Sequence, residues 1–372
     1  MRVLIVGGGV IGTSIAYRLA IRGVDVTVVE RGDVACAASG KSGGFLALDW
    51  CDGSPLQDLA RRSFALHAEL AAALEDEWGY RRLKTYGGTV RLDGASRGSR
   101  LAWTTRALQV RGLLGTTDST AQVNPAAFTQ AMMRAAARQG ADLHRGRVTD
   151  LVIQDGRVVG VEVGGETLEA DTVVIAMGPW SVLATEWLSL PPIFGLKGHS
   201  ILFDTGNDIP PEALFLEVEE ASGSVLTPEV FPRSDGTTYV CAISSETPLP
   251  VDPGQVEPDE GAIDRLLDLC RRISPALTSS RVLASQACFR PITRDGLPII
   301  GAVPGVSGGY VATGHSVWGI LNAPATAEAM ADLILDGAAR SVDLRPFDPR
   351  RLRSARQVPI RRHLPPHGTA ST

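Results

Sequence analysis

The stretch RVLIVGGGVIG, residues 2–12, decides the fold, because an apolar run enters a glycine-rich turn and a second apolar segment follows. The run predicts a β-strand, and the segment after the turn predicts an α-helix. Gly7, Gly9 and Gly12 stand at G-x-G-x-x-G spacing. The first glycine of such a motif permits a tight turn, the second lets the backbone approach a pyrophosphate, and the third lets the helix pack closely on the strand. The stretch therefore predicts the start of a Rossmann-like β-α-β unit.

The residues after this turn complete the unit. We predict a helix over about residues 10–22 and a second strand over 24–30, which ends at Glu30. A carboxylate at that place can accept hydrogen bonds from ribose hydroxyls and repels a 2′-phosphate. The amide groups at the helix N-terminus, including those of Val10 and Ile11, would face the diphosphate. FAD and NAD both bind in this way, so the unit predicts a dinucleotide site without choosing between them.

Three further segments favour the longer ligand, FAD. Arg31 and then ASGKSGGF (38–45) offer hydroxyls and bare backbone amides for a phosphate or a flavin ring. DTVVIAMGPWS (171–181) is a buried strand that breaks at Gly178, and YVATGHSVWGI (310–320) repeats the order strand, glycine, helix near the C-terminal end. A simple NAD domain would not need this last segment. One long ligand, contacted from both ends of the chain, accounts for all three.

The composition is typical of a globular protein. Hydrophobic residues make up 44% of the 372 residues and charged residues 21%, which suits a large buried core. The net charge of −5 gives no reason to expect nucleic acid as a partner, and no run is long and apolar enough to predict a membrane span. Five scattered cysteines without C-x-x-C spacing favour a reducing compartment over a disulfide framework or a zinc site. We therefore expect a cytoplasmic protein without a bound metal.

The order of the predicted elements implies two domains formed from non-contiguous segments. Short strands follow one another between residues 193 and 243 and predict a second sheet. The expected fold class is α/β, with a doubly wound FAD-binding domain intertwined with a mixed-sheet substrate domain. The FAD-binding domain is expected over residues 1–85, 120–188 and 286–345, the substrate domain over 86–119 and 189–285, and a basic, disordered tail over 346–372.

Besides a helix over residues 258–273, three helices are predicted outside the first unit. One spans residues 54–78, and a second spans 125–139 with Asn124 as its cap and a proline in its first turn. A third begins near Ser316 and contains Pro324, which must bend it or lie near a start within it.

With these segments in place, the chain resembles the glycine/D-amino-acid oxidase and sarcosine oxidase superfamily of FAD enzymes, from Arg2 to about Leu344. The resemblance is carried by VGGGVIG, VTVVE, ASGKSGGF, VNPAAFTQAMMRAAARQGADL, VVIAMGPWS, RPITRDGLPIIG and YVATGHSVWGI. A plant and fungal branch of FAD-dependent oxidoreductases without an established substrate is the most similar group. This second resemblance is carried by SGGFLALDWCDGSPLQDLARRSFALHAELA, GLKGHSILF and CFRPITRDGLPIIG.

The resemblance implies oxidation of the C–N bond of a small amine or amino acid to an imine. Hydride would pass from the substrate carbon to flavin N5, with O2 as the expected acceptor, and the helix near Ser316 would direct amide groups to the N1/C2=O side of the flavin. Two alternatives stay open: a FAD dehydrogenase of the same fold that reduces a quinone or a protein, and a low-turnover flavoprotein acting in assembly or trafficking. Trp318 and Leu321 stand where the sarcosine-oxidase group has His and Lys, so the substrate preference of that group does not transfer.

The segment ACFRPITRDGLPIIG (287–301) places a thiol and a guanidinium on one predicted strand, and alternation puts Cys288 and Arg290 on the same face. The F-R-P stretch around Arg290 matches an L-R-P element of the family, and the resemblance implies that Arg290 holds a substrate carboxylate, which a guanidinium can bind bidentately. A salt bridge with Asp295 is the structural alternative. For Cys288 the resemblance implies either a covalent bond to the flavin 8α-methyl or unlinked packing against the flavin.

The remaining candidates line the expected flavin site. His315 is placed at the catalytic site with Arg290, where it more simply shapes the turn and hydrogen-bonds near the flavin than acts as a base. Phe45, Trp50 and Trp318 are candidates for cavity walls or for core packing. The predicted FAD-binding residues are Gly7, Gly9, Val10, Ile11, Gly12, Glu30, Arg31, Ser39, Ser42, Gly43, Gly44, Val148, Gly178, Trp180, Cys288, Gly314, Ser316, Trp318, Gly319 and Ile320.

Overall fold

Twenty β-strands and seven α-helices lie within residues 1–91, 99–220 and 222–354, which are the residues that the computed structural model describes. The strands are β1 (Arg2–Val6), β2 (Asp25–Glu30), β3 (Phe45–Ala47), β4 (Arg81–Arg82), β5 (Lys84–Val90), β6 (Leu108–Gly115), β7 (Thr120–Gln122), β8 (Asp142–Arg145), β9 (Val148–Gln154), β10 (Arg157–Val163), β11 (Glu166–Glu169), β12 (Thr172–Ile175), β13 (Phe194–Asp204), β14 (Glu212–Glu219), β15 (Val225–Leu226), β16 (Glu229–Pro232), β17 (Thr237–Ser245), β18 (Arg281–Ile292), β19 (Ile299–Ala302) and β20 (Gly309–Thr313). The helices are α1 (Val10–Ala20), α2 (Ala38–Lys41), α3 (Gln57–Ala73), α4 (Pro125–Arg138), α5 (Ala262–Ile273), α6 (Pro275–Ser279) and α7 (Gly319–Asp336).

A six-stranded sheet in the order β19-β20-β12-β1-β2-β8 carries the glycine motif. Its strands are parallel except for β19. Alternation along β1 sends Val3 and Ile5 to the face on which α1, α4 and α7 pack, and Leu4 and Val6 to the other face. The second face is covered by the antiparallel sheet β11-β10-β9. This is the predicted α/β arrangement, with one of its two outer layers built from strands instead of helices.

An eight-stranded mixed sheet forms the second half of the molecule, in the order β18-β13-β17-β16-β14-β5-β6 with β15 paired to β14. β14 and β5 are parallel, and the other pairs are antiparallel. Apolar residues of α5 and α6, such as Leu266 and Leu277, cover one face of this sheet. They belong to one buried cluster with Ile201 on β13 and Val240 on β17. The opposite face is turned toward the cavity described below.

The expected domain boundaries and the sheets differ at two places. β18 lies wholly in the eight-stranded sheet, so the boundary expected at residue 286 falls inside a strand. Residues 346–354 of the expected disordered tail pack on the fold, because Phe347 is buried and Arg351 pairs with Asp295 at 2.7 Å. The disorder expected for the rest of the tail concerns residues 355–372, which lie outside the described residues.

The predicted helices outside the first unit are present with small changes. The helix expected over residues 54–78 is shorter, since Leu74 already has an extended backbone. Asn124 caps α4 as predicted, and its Oδ1 accepts a hydrogen bond from the Ala127 amide at 3.2 Å. In the part of the chain that the structure describes, no helix combines the length and the apolar character that crossing a bilayer requires.

Helix α7 runs through Pro324 without a break. Proline has no N–H to donate, so the carbonyl oxygen of Ile320, four residues earlier, loses its usual helical partner. His67 on α3 replaces that partner, with Nε2 2.9 Å from the Ile320 oxygen. Ser63 on the same helix accepts a hydrogen bond from the Ala325 amide at 2.9 Å. Helix α3 therefore stabilises the first turns of α7, which are the turns that reach the cavity.

Candidate active site

One continuous cavity lies between the six-stranded sheet and the eight-stranded sheet. It begins beside the C-terminal ends of β1, β12 and β20 and ends against the face of β18, β17 and β16. Every residue predicted to bind FAD lines this cavity except Gly12, and the two predicted catalytic residues, Arg290 and His315, line it as well. The folded chain thus brings together segments that are up to about 300 residues apart.

Gly12 acts in packing, which is the role that its place in the motif predicts. A Cβ at this position would lie 2.0 Å from the carbonyl oxygen of Gly7 and 3.2 Å from Cγ2 of Ile5. Only a glycine therefore lets the first turn of α1 rest on β1. Gly12 belongs to the dinucleotide motif without lining the cavity.

The N-terminus of α1 is open toward the cavity. Gly9 precedes the helix without a side-chain cap, and the first turn contains no acidic residue. The Val10 amide donates to Oγ of Ser39 at 2.9 Å, which brings the predicted serine segment beside the glycine turn. Amide groups and the helix dipole make such an end attractive to phosphate.

Glu30 lines the cavity beside the glycine turn and bonds to the backbone on both sides of β2. Its Oε2 accepts a hydrogen bond from the Gly8 amide at 2.7 Å, and its Oε1 accepts one from the Gly32 amide at 2.8 Å. Val148 lines the same end of the cavity. A carboxylate with further lone pairs free is suited to ribose hydroxyls, as the sequence predicts.

Arg31 and Trp180 line the cavity but bond to a nearby loop. The Arg31 guanidinium donates to the carbonyl oxygen of Val251 at 2.6 Å, and Nε1 of Trp180 donates to that of Pro250 at 2.8 Å. These bonds tie residues 250–251 to the cavity rim, and the phosphate contact of Arg31 stays a prediction.

The segment around Ser42 supplies an unpartnered polar group. Oγ of Ser42 is buried and has no hydrogen-bond partner among the described residues. Gly43 lies so close to the Phe231 ring that a Cβ would come within 2.4 Å of it, and Gly44 has a φ of +80°. A hydroxyl and bare backbone at one narrow point of the cavity fit a bound FAD molecule.

The C-terminal segment forms the other side of the cavity. Gly314 and Ser316 have positive φ angles of 79° and 51°, so the backbone turns sharply before α7. His315 is buried, and its Nε2 lies 3.0 Å from Oγ1 of Thr326. Burial lowers the pKa of His315 to about 3, so the ring is neutral near pH 7 and is a poor base.

Beside the predicted Cys288 and Arg290, the face of the eight-stranded sheet supplies five residues that sequence reasoning missed. Alternate positions on neighbouring strands point into the cavity: Phe215 on β14, Glu229 and Phe231 on β16, Tyr239 and Cys241 on β17, and Cys288 and Arg290 on β18. Alternation of side chains was visible in these strands, but it does not show which face meets a cavity. The cavity position of Glu229 has no signal in the sequence alone.

Arg290 reaches across the sheet toward the middle of this face. Its guanidinium lies over Gly198 on β13, where a Cβ would come within 3.1 Å of Nη2, and Nη1 donates to Oγ of Ser244 at 3.3 Å. Asp295, the alternative partner considered from the sequence, pairs with Arg351. Arg290 forms no ion pair with any described carboxylate. Its positive charge is therefore available to an anionic ligand.

An aromatic wall closes the cavity beside Arg290 and Glu229. Phe45 contacts Trp50, Phe215 and Phe231, with ring centroids 5.0, 4.9 and 5.3 Å apart. Trp318 lines the cavity from the side of α7. Phe45, Trp50 and Trp318 thus have the wall positions considered for them, and such rings exclude water around charged groups.

Cys288 lies on the cavity face two residues from Arg290. Burial raises the pKa of its thiol to about 12, so the reactive thiolate is scarce at neutral pH. We therefore expect the flavin to be unlinked: after acid precipitation, its yellow colour should appear in the supernatant. Colour that stays with the wild-type pellet and is lost from the pellet of a Cys288→Ala variant would instead establish the covalent bond.

The dinucleotide turn, the long cavity and the free guanidinium together define a flavoprotein oxidoreductase. Residues 2–333 match the family described as DAO, FAD dependent oxidoreductase, and the chain belongs to that family and binds FAD. The α/β fold class and the FAD cofactor predicted from the sequence are confirmed.

Individual relatives agree with this assignment. A Schizosaccharomyces pombe protein with the general description of an oxidoreductase is 30% identical, over 93% of this chain and 97% of its own length. A glycine oxidase of Pseudomonas aeruginosa is 28% identical, over 94% of this chain and 98% of that protein. The crystal structure of glycine oxidase from Bacillus cereus has a TM-score of 0.77 at 26% identity, and the match covers 91% of this chain and 98% of that one.

Proposed function

We propose that the protein oxidises the C–N bond of a small amino acid or amine to an imine. The observation that carries the proposal is Arg290, a guanidinium without an ion-pair partner among the described residues, inside a cavity that opens onto the FAD-binding turn. The Arg290 side chain is half-buried, and a guanidinium in such a cavity is suited to a carboxylate. Relatives described as glycine oxidases, including those of Pseudomonas aeruginosa and Bacillus cereus, support an amino acid as the substrate class.

FAD, when bound, supplies the acceptor for a hydride from the substrate carbon. The α1 N-terminus, Glu30, Ser39, Ser42 and the turn at Gly314 would hold it. The protein contributes position and environment to the reaction. Arg290 would orient the substrate through its carboxylate, and the aromatic wall would keep water from the reacting carbon.

The start of α7 has an electrostatic role in this proposal. Residues 316–319 line the cavity at the N-terminal end of an 18-residue helix, which carries a partial positive charge. Negative charge that develops during oxidation would be stabilised there. The bonds from His67 and Ser63 hold this end in place despite Pro324.

The proposal predicts that a small amino acid reduces the bound flavin. In an anaerobic cuvette, at least one of glycine, sarcosine and the D-amino acids should bleach the flavin absorbance. Acetylated glycine is the matched control, because its carboxylate is intact but its nitrogen is an amide, and it should leave the spectrum oxidised. A spectrum that none of the amines changes would reject the proposal.

O2 is proposed as the electron acceptor. The reduced enzyme should regain its yellow colour on admission of air, with one O2 consumed per imine formed. Reoxidation by a quinone or a redox dye that is much faster than reoxidation by air would favour the dehydrogenase alternative.

A further inference from the structure

Glu229 is an acidic group inside the cavity to which the proposed reaction gives no role so far. It lies on β16, directly opposite Cys241 on β17 and Phe215 on β14 in the sheet register. Its Oε2 accepts a hydrogen bond from the Cys241 thiol at 3.5 Å. A thiol is a weak donor. Burial raises the pKa of Glu229, and the positive charge of Arg290 opposes that rise.

Glu229 and Arg290 face the same cavity without touching. Two strands, β17 and β13, separate the strands that carry them. Both side chains line the cavity, yet no ion pair joins Glu229 to Arg290 or to another described cation. Because no ion pair joins them, the carboxyl group of Glu229 and the guanidinium of Arg290 can each pair with a charge of a ligand that lies in the cavity.

We propose that Glu229 binds the amine of the substrate while Arg290 binds its carboxylate, so that the cavity selects a zwitterion. The inference rests on the proposed function and adds a second recognition group to it. The negative charge of Glu229 and the positive charge of Arg290 complement the ammonium and carboxylate groups of an amino acid. A carboxylate ligand without an amine would be attracted by Arg290 and repelled by Glu229.

The same carboxylate can remove the proton that blocks oxidation. An ammonium group has no lone pair on nitrogen, so the amine must be neutral before the carbon loses a hydride. Glu229 can accept this proton: one N–H bond breaks, one O–H bond forms, and no electrons are transferred. A carboxylate whose pKa is raised by burial is a stronger base than an exposed one. Cys241 and Tyr239, the other titratable groups beside it, stay protonated because burial raises their pKa values well above normal.

Two ligands of equal shape test this assignment without any reaction. 2-Aminoisobutyrate and pivalate differ only by an ammonium group in place of a methyl group, and neither has a hydrogen on the α-carbon. Each can be titrated into the enzyme with FAD bound, and binding can be followed by the shift in flavin absorbance. In the wild type, 2-aminoisobutyrate should bind at least about tenfold more tightly than pivalate.

Glu229→Gln should remove this preference. We expect binding of 2-aminoisobutyrate to weaken by at least about tenfold, while pivalate binds as tightly as before or more tightly, because the repelling charge is gone. Glu229→Asp keeps the charge and should recover part of the preference. Glu219→Gln, which changes an exposed carboxylate on β14 outside the cavity, is the matched control and should behave as the wild type.

Several outcomes would overturn the inference. These are equal weakening of both ligands in Glu229→Gln, a preference of the wild type for pivalate, or no binding of either ligand to the wild type. The proposed function is judged separately, since it fails when no amine bleaches the flavin, whether or not 2-aminoisobutyrate binds.

Discussion

Replacing Arg290 with alanine should lower kcat/KM by about 100-fold or more for the amino acid that reduces the flavin best, mainly through a higher KM. Arg290 is half-buried, and truncation of a charge that becomes buried against a ligand charge typically costs about 2–5 kcal/mol, of which about 3 kcal/mol corresponds to roughly 100-fold. The side chain makes its one described hydrogen bond with Ser244, so little of the protein's own structure is lost with it. Steady-state kinetics over a range of substrate concentrations would measure the change.

Two companion variants sharpen this test. Arg290→Lys keeps the charge but loses the two-pronged geometry, and it should lie between the wild type and the alanine variant. Arg294→Ala removes an exposed arginine four residues along the chain, outside the cavity, and should leave KM unchanged. An Arg290→Ala enzyme with wild-type KM would take Arg290 out of substrate binding.

Replacing Gly12 with alanine should abolish retention of FAD and destabilise the fold. The added Cβ would lie 2.0 Å from the carbonyl oxygen of Gly7, which is backbone and cannot rotate away. Helix α1 would have to move off β1, and the amides of the turn would move with it. We expect a loss of at least about 4 kcal/mol in the free energy of unfolding, which is the range of the most damaging core substitutions. The FAD content of the purified protein and its urea unfolding curve would measure both effects.

Gly112→Ala provides the control for this substitution. Gly112 also lies in a regular element, β6, but a Cβ there would meet no atom within 4 Å. Its FAD content and stability should be close to those of the wild type. If Gly12→Ala also kept its FAD and its stability, the close packing of α1 on β1 would not be what holds the phosphate-binding turn.

The agreement between sequence and structure is best where contacts are local. The turn at Gly7–Gly12, the cap at Asn124 and the turn before α7 each depend on residues within a few positions of one another. Steric limits on φ and the hydrogen-bonding needs of helix ends act over the same distance. Those features were therefore predictable from residue types and spacing.

The differences arise where distant segments meet. Arg31 bonds to Val251, and Asp295 bonds to Arg351, and neither partner is close in sequence. The order of predicted elements could not show that the strand of Cys288 and Arg290 joins the eight-stranded sheet. Phe347 is buried against the fold, which the proline and arginine content of its neighbours did not indicate.

The sequence by itself determined that this chain has a Rossmann-like dinucleotide turn, that FAD is its cofactor, and that Arg290 and Cys288 share one face of a strand. The tertiary structure alone decided that Arg290 has no ionic partner in the described chain and that Glu229 faces the same cavity. The physical reason is that strand order decides which side chains share a face of the sheet. β13 and β17 lie between β18 and β16, and this order is set by long-range pairing that no local pattern encodes.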